Sequence, residues 1–227
     1  GHVSGVLTEK GLIRAEAVLL AAGAWSRLFC KHEDLVLPQL KVRSSVLRTA
    51  PVAADLNSCI SAPDFSVRPR ADGGYTVAGG ANSPISFELT PDAFCFLGLF
   101  AKLAWMARTY LRPRIGSAFA EAWRQQRQAA AGTGEPFTTH RILDPEPIQS
   151  SLDAVRSALV RDFPVFRGVE VAQQWAGMID VTPDAVPVIS EVNQQPGFFI
   201  ATGFSGHGFG IGPAAGELAA DLVLNEK

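Results

Sequence analysis

The sequence predicts a fold of α/β plus α+β class, in which parallel-type sheet near both ends of the chain is interrupted by an antiparallel sheet with helices. Three observations predict it. The apolar run Ala17–Ala22 is typical of a strand covered on both faces. From about Leu37, segments that alternate apolar and polar residues are separated by Pro, Asp and Gly. The segment Gly197–Lys227 reads as an apolar strand, a glycine-rich loop and a helix.

The elements follow from these patterns in chain order. Two short strands flank a turn at Glu9-Lys10-Gly11, and we expect the next strand, Ala17–Ala22, at the centre of a covered parallel sheet. Four strand-like segments follow up to Gly80, with a hairpin signal at Asp72-Gly73-Gly74. Later strands are predicted in three segments, "VEVAQQWAGMI", "AVPVIS" and "GFFIATG".

Four helices are predicted. The first two are Pro91–Leu111, with proline at its first position, and Ser117–Ala131. A loop, Gly132–Gln149, leads to a helix near Leu152–Asp162 that must end before Pro164. The final helix is expected to begin at Pro213.

Composition narrows the function classes. The 227 residues carry a net charge of −2 with acids and bases interspersed, which argues against nucleic acid as a partner. Three scattered cysteines (Cys30, Cys59, Cys95) do not form a disulfide framework, and with no evident secretory signal we expect a cytoplasmic protein. The most apolar run, Ala93–Ala107, is too short to span a bilayer and contains Lys102. We expect a packed helix there and no membrane contact; a membrane-surface or subunit contact is the alternative.

The glycine loop, with five glycines from Gly203 to Gly212, could form one of three kinds of site. Gly210–Ala215 fits a G-x-G-x-x-G/A dinucleotide fingerprint, but only twelve residues follow it, too few for the βαβ unit of roughly 30 residues that such a site needs. Gly203–His207 approaches the G-x-S-x-G of a nucleophile elbow, yet no later histidine could complete a triad. A helix N-terminus directed at part of a cofactor, such as the pyrimidine side of a reduced flavin, remains. A tight turn without a ligand is the alternative.

The four histidines (His2, His32, His140, His207) are scattered, so we expect no metal site. His207 lies within the glycine loop, where it could contact a substrate or cofactor or make a structural hydrogen bond.

Three stretches in this order, "AVLLAAGAWS", "QQWAGMIDVTPDAVPVI" and "GFFIATGFSGHGFGIGPAAGELAADLV", resemble the FAD-dependent D-amino acid oxidase superfamily, which includes glycine oxidase, sarcosine oxidase and D-amino acid dehydrogenases. The segment "FSVRPRADGGYTVAGG" is similar to that family's substrate-domain hairpin. The resemblance implies a partial, discontinuous FAD-binding Rossmann-like domain, residues 1–36 and 170–227, around an inserted substrate-binding domain, residues 37–169. It also implies that the N-terminal ADP-binding motif lies elsewhere, on a truncated part or on a partner chain.

The resemblance assigns candidate residues. The stretch Ala22, Gly23, Ala24 and Trp25 would lie against the dinucleotide, and the loop residues Gly203, Phe204, Ser205, Gly206, His207, Gly208, Phe209 and Gly210 would line the flavin. His207 is the candidate catalytic residue. The absence of cysteine near Gly177 implies non-covalent FAD.

One departure concerns the substrate carboxylate. The family often places an arginine shortly after Trp-Ala-Gly-x, whereas here Ile179 and Asp180 follow Met178. Either the substrate is an amine or secondary amino compound held differently, or Arg43, Arg48 or Arg68 supplies the charge; each arginine could instead be a solvated strand residue. The candidate substrate-binding residues are thus Arg43, Arg68 and Ile179.

The expected activity is oxidation of a C–N bond in a small amine or amino acid, with hydride transfer to flavin N5. The alternative is a non-catalytic fragment or subunit that needs a partner chain to bind flavin, with the helix Ala93–Ala107 docking that partner. A nicotinamide-dependent dehydrogenase is disfavoured, because the second mononucleotide half is absent.

Overall fold

The computed structural model describes residues 2–114, 117–131, 137–138 and 141–224. Part of the predicted loop Gly132–Gln149, and His140 with it, lies outside these residues. The described chain contains a small hairpin, a three-stranded sheet and a larger seven-stranded sheet. The hairpin consists of β1 (Gly5–Thr8) and β2 (Gly11–Arg14), as the turn at Glu9-Lys10-Gly11 predicts.

The three-stranded sheet joins the two ends of the chain. Its strands are β3 (Val18–Leu20), β11 (Val188–Glu191) and β12 (Phe198–Thr202), in the order β11–β12–β3. β3 and β12 are parallel, and β11 is antiparallel to β12. Two helices complete this region, α1 (Ser26–His32) and the last helix α6 (Gly208–Leu224). The parallel pairing that the apolar run predicted is therefore present, made by segments that are 180 residues apart.

The larger sheet is organised around β4 (Leu40–Thr49), which pairs with β10 (Val171–Val181) along its whole length. The opposite edge of β4 forks, because its C-terminal half pairs with β7 and its N-terminal half with β8. The other strands are β5 (Ile60–Ser61), β6 (Phe65–Pro69), β7 (Tyr75–Gly79), β8 (Ile85–Glu88) and β9 (Leu111–Arg114). The sheet is antiparallel except for the parallel pair β8–β9. The predicted domain bounds stay a prediction; β10, on the C-terminal side of residue 170, belongs to this sheet.

The main hydrophobic core lies between this sheet and α5 (Gln149–Asp162). Leu152, Val155 and Leu159 recur at helical spacing and are buried against Phe65 and Val77 of the sheet. Each such fully buried side chain contributes roughly 1.5–3 kcal/mol. The hairpin β6–β7 is closed as the Asp72-Gly73-Gly74 signal predicts, with the Gly74 N–H donating to Asp72 Oδ1 at 3.0 Å.

Three predicted elements differ from the structure. The predicted helix Pro91–Leu111 is two helices, α2 (Pro91–Cys95) and α3 (Leu97–Met106), followed by β9. The residue before Pro113 disfavours helix, so the chain turns extended there. The predicted helix Ser117–Ala131 is confirmed as α4 (Ser117–Ala130).

The last helix begins at Gly208 and not at Pro213, which lies inside it. Proline at this position removes the hydrogen bond to the carbonyl of Phe209. Phe209 is fully exposed, so water can solvate that carbonyl and the helix continues.

The strand at Ala17–Ala22 is at the edge of its sheet and not at its centre, and Leu19 is 43% exposed. An apolar strand is predicted to be central because apolar residues on both faces indicate that both faces are buried. Within the described chain, however, β3 pairs with another strand along only one of its edges. Helix α1, which the sequence pattern did not reveal, covers the sheet with Cys30 fully buried beside Leu20 and Ile200.

Alkylation tests this packing of α1. Burial raises the pKa of the Cys30 thiol from 9.0 to about 11, although Arg27 counteracts it. At about pH 8, iodoacetamide should therefore modify the exposed Cys59 and Cys95 in the native chain and leave Cys30 unmodified. Intact-mass measurement counts the adducts, and the chain unfolded in guanidinium chloride should accept a third. Three rapid adducts on the native chain would contradict the packing of α1.

Candidate active site

The candidate site lies at the carboxyl ends of the parallel strands β3 and β12. Each strand is followed by a glycine with positive φ, Gly23 (52°) and Gly203 (78°), which turns the chain sharply at the same edge of the sheet. In open α/β sheets, ligands bind outside the carboxyl ends of the strands. The two sequence segments with candidate cofactor residues, Ala22–Trp25 and Gly203–Gly210, therefore meet at the edge where a ligand is expected.

A half-buried carboxylate, that of Asp180, holds these two turns together. Asp180 Oδ2 accepts hydrogen bonds from the Gly203 N–H (2.6 Å), the Thr202 hydroxyl (3.1 Å) and Gln39 Nε2 (3.1 Å). Gln39 Nε2 also lies 3.3 Å from the Gly23 carbonyl, and Thr202 Oγ1 lies 2.9 Å from Ser26 Oγ. Gln39, Thr202 and Ser26 are almost wholly buried. The network thus fixes the ends of β3, β10 and β12 relative to one another.

The first part of the glycine loop is shaped by contacts with β10 and the residues that follow it. A Cβ on Gly203 would lie 2.4 Å from Thr182 Cγ2, so only glycine fits. Ser205 adopts positive φ (50°), and its hydroxyl lies within hydrogen-bond distance of the Gly203 carbonyl and the Thr182 N–H. The Ser205 N–H donates to the carbonyl of Asp180 at 3.0 Å. These bonds explain Gly203 as a requirement of the fold.

The second part of the loop forms the first turn of α6, and its last glycines are not explained by packing as Gly203 is. The N–H groups of Gly210 and Ile211 donate to the His207 carbonyl. The N–H groups of Gly208 and Phe209 belong to the first turn of the helix, where the N–H groups have no carbonyl partner four residues earlier within the helix. A Cβ on Gly210 or on Gly212 would have no neighbour within 4 Å in the described chain. Internal packing therefore does not explain the last glycines of the motif.

An apolar cavity of about 440 Å³ adjoins the loop. It lies between β4, β10, α5 and the helices α2 and α3, and most of its lining is aliphatic or aromatic, including Val42, Phe87, Phe100, Leu103 and Val155. Ile179 and Ser205 line it as well, so the cavity reaches the glycine loop. Among the described lining residues, the charged side chain is that of Arg43.

Electrostatics around Arg43 favour an anion. Burial, with a further contribution from the nearby cation Arg114, lowers the pKa of the Arg43 guanidinium. Its Nη1 donates to the Glu146 carbonyl at 3.2 Å. A carboxylate in the cavity would offset both the burial of the charge and the repulsion between the two arginines.

A profile of the family described as DAO, FAD dependent oxidoreductase, matches residues 1–222 of this chain. The chain belongs to this family. Its members act with FAD, so the cofactor expected from the sequence is confirmed at the level of the family. The expected fold is confirmed too, because the structural neighbours are amino acid oxidases and deaminases of this fold.

Relatives and solved structures agree. Glycine oxidase of Pseudomonas putida is 22% identical over 227 residues, which cover 100% of this chain and 47% of the relative. D-amino acid dehydrogenase of Paramagnetospirillum magneticum is 28% identical over 222 residues, covering 98% and 40% of the two chains. The structure of L-amino acid deaminase from Proteus myxofaciens in complex with anthranilate matches with a TM-score of 0.89 and 32% identity, over 100% of this chain and 50% of that one. The chain spans about half the length of the relatives that it matches.

Within this DAO chain, the structure brings some candidate residues together and leaves others apart. Ala22–Trp25 and Gly203–Gly210 meet around Asp180, and Arg43 and Ile179 share the cavity. Arg68 is exposed on β6 and is not among the described residues that line the cavity. Arg48 pairs with Asp72 at 3.4 Å. His207 is exposed immediately before α6.

Three structural residues of the site were not singled out by the sequence. Asp180 was noted only because it stands where an arginine was expected, and Gln39 and Thr202 were not noted. The available signal was polarity in apolar surroundings: Gln39 lies between Leu37 and Leu40, and Thr202 ends the apolar run of β12. Buried polar groups need partners, so such residues predict a network, although not its members.

Replacing Asp180 tests the network. Asp180→Ala should lower the free energy of unfolding by roughly 1–3 kcal/mol, because the buried Gly203 N–H loses its acceptor while Gln39 and Thr202 each lose one of theirs. Urea unfolding followed by circular dichroism measures the loss. Asp153→Ala is the matched control, since Asp153 bonds only Gln149 on the exposed face of α5, and it should change stability by less than about 0.5 kcal/mol. Equal effects from both variants would show that Asp180 does not hold the two turns.

Proposed function

We propose that this chain forms the substrate-binding part, and the flavin-ring part, of an enzyme that oxidises a C–N bond in an amino acid or amine. The observation that carries the proposal is the junction of loop and cavity. Ser205 belongs to both, and Ile179 of β10 lines the cavity beside Gly206 of the loop, so a substrate in the cavity would lie beside a group bound at the first N–H groups of α6.

The residues present fit one end of FAD. The N–H groups of Gly208 and Phe209, at the positive end of a 17-residue helix, suit the partly negative pyrimidine side of a flavin. Gly210 and Gly212 have no side chain that would keep a flat ring away. The cysteines lie at positions 30, 59 and 95, away from loop and β10, which supports non-covalent binding. When bound, the flavin would supply the oxidation by accepting hydride at N5 from the substrate carbon, and water would hydrolyse the imine that the substrate becomes.

The chain's own residues bind and orient the substrate. The Arg43 guanidinium would hold a carboxylate, and the apolar lining would hold the rest of the molecule away from water. No Asp, Glu, His or Lys is among the described lining residues, which suits reaction of a neutral amine without a side-chain base. His207, two residues beyond Ser205, remains the candidate for a further contact with substrate or flavin.

The lining favours a substrate with a large apolar group. About 440 Å³ of aliphatic and aromatic surface exceeds what glycine or sarcosine would fill. The similar L-amino acid deaminase from Proteus myxofaciens was solved with anthranilate, an aromatic carboxylate, which supports the same class of ligand here.

We further propose that a segment carrying the ADP-binding motif completes the flavin site, either upstream in the same polypeptide or on a separate chain. The open edge of β3 and the exposed Leu19 would accept another parallel strand. Leu218 and Leu222, exposed on α6, would be covered by its helix. Sarcosine oxidase subunit beta of Arthrobacter, 34% identical over 71 residues, supports the two-chain form, because that relative is a subunit by name.

Flavin titration tests the division of the cofactor site. This chain should quench the fluorescence of riboflavin and FAD with affinities that agree within about threefold, because it contacts the ring and not the adenine end. Binding of FAD more than about tenfold tighter than riboflavin would contradict the division. No quenching by either flavin would contradict the assignment of α6 to the ring.

The role of Arg43 is tested with a carboxylate and its neutral counterpart. Arg43→Gln should weaken anthranilate binding by roughly 10- to 100-fold, the value of a charge-assisted pair, and leave aniline binding unchanged. Isothermal titration calorimetry measures both. Arg68→Gln, a matched change on exposed β6, should alter neither. A loss for aniline equal to that for anthranilate would mean that Arg43 shapes the cavity without binding the carboxylate.

A further inference from the structure

Helix α3 is apolar on both of its faces. Its inner face, with Phe100, Leu103 and Ala104, lines the cavity. Its outer face carries Trp105 and Met106, which are 69% and 67% exposed. A helix that is hydrophobic all round is normally enclosed, either in a protein core or by lipid.

The exposed apolar surface extends over the neighbouring helices. Phe94 of α2 and Trp123 of α4 are more than half exposed. The ring centres of Phe94 and Phe119 are 6.3 Å apart. We call this region the outer helical surface. It consists of Phe94, Leu97, Leu99, Trp105, Met106 and Trp123, of which Phe94 and Leu97 also line the cavity.

Cations surround this surface. Residues 93–130 contain six bases and one acid, although the whole chain has a net charge of −2. The Arg108 guanidinium lies 4.2 Å from the centre of the Trp105 ring, and that of Arg127 lies 5.3 Å from the Trp123 ring. Lys102 is exposed on α3, one turn before Met106. Exposed tryptophans flanked by Lys and Arg are the pattern of a helix that lies in the interface of an anionic membrane.

Two of the three helices, α2 and α4, are fixed to each other and to α1. Asp92 of α2 accepts hydrogen bonds from Arg27 of α1 (3.1 Å) and from Gln126 of α4 (2.6 Å). Both partners are largely buried, which makes the junction resistant to water. The apolar side chains of α2 and α4 therefore cannot turn inward without breaking this largely buried ion pair.

We propose that the outer helical surface docks reversibly on a membrane surface that contains anionic lipids. None of the helices in the described part of the chain is long and apolar enough to cross a membrane, so the contact is peripheral. Apolar side chains enter the headgroup region while the surrounding Lys and Arg side chains contact lipid phosphates. This inference is independent of the proposed oxidation and reverses the expectation of no membrane contact.

Vesicle flotation tests the docking. The chain should float with vesicles of phosphatidylcholine and phosphatidylglycerol, and float less with phosphatidylcholine alone or in high salt. The double variant Trp105→Ser/Met106→Ser should lower the partition by at least about tenfold. The matched control Val36→Ser/Ile142→Ser changes two exposed apolar residues elsewhere and should float as the parent does. Thermal unfolding should be alike for both variants.

The charged rim is tested separately with Lys102→Gln/Arg108→Gln, which should reduce flotation with anionic vesicles and leave weak binding to neutral vesicles unchanged. Failure of the parent chain to float with either vesicle would overturn the proposal. It would also be overturned if the serine control lost binding equally, or if light scattering showed a dimer that Trp105→Ser/Met106→Ser dissociates, since the surface would then join two copies of the chain.

Discussion

The organisation of the site depends on one half-buried carboxylate, which accepts hydrogen bonds from buried donors. Asp180 receives donors from the ends of two different structural regions, the Gly203 turn after β12 and Gln39 before β4. The three donors are buried, and a buried donor is costly unless it has an acceptor, so they depend on this carboxylate. Because Gln39 also contacts the Gly23 carbonyl, the same charge sets the position of both glycine turns.

The glycines of the loop fall into two groups that have different physical explanations. Gly203 and Gly206 have positive φ, and Gly203 could not accept a Cβ beside Thr182, so the fold alone explains them. Gly210 and Gly212 lie in the helix with open space at the Cβ position, where alanine would be the better helix former. Their cost of about 1 kcal/mol each relative to alanine needs another compensation, which close approach of a ligand would provide.

Structural features that depend on local sequence periodicity could be predicted, whereas contacts between residues far apart in the sequence could not. Alternation and apolar runs predicted the strands, the β6–β7 hairpin and the parallel segment, because these depend on local periodicity. The start of α6 was missed since Pro213 is tolerated only because Phe209 is solvated. The partners of Asp180 could not be predicted, because they lie up to 141 residues away and no periodicity connects them. Among the candidate arginines, Arg43 lines the cavity and Arg68 is not among its described lining residues. This difference depends on position in the fold, which the identity of the two residues does not reveal.

Two exposed apolar regions of the described residues differ in charge. This difference supports different binding partners for them. The region of β3 and α6 has acids and no Lys or Arg among residues 197–224, with Glu217 and Asp221 beside the exposed leucines. An anionic membrane would repel it, whereas a protein segment that pairs with β3 would not. The outer helical surface has the opposite charge. Since α3 also lines the cavity from within, a lipid surface at its outer face would lie one helix diameter, about 10 Å, from the bound substrate.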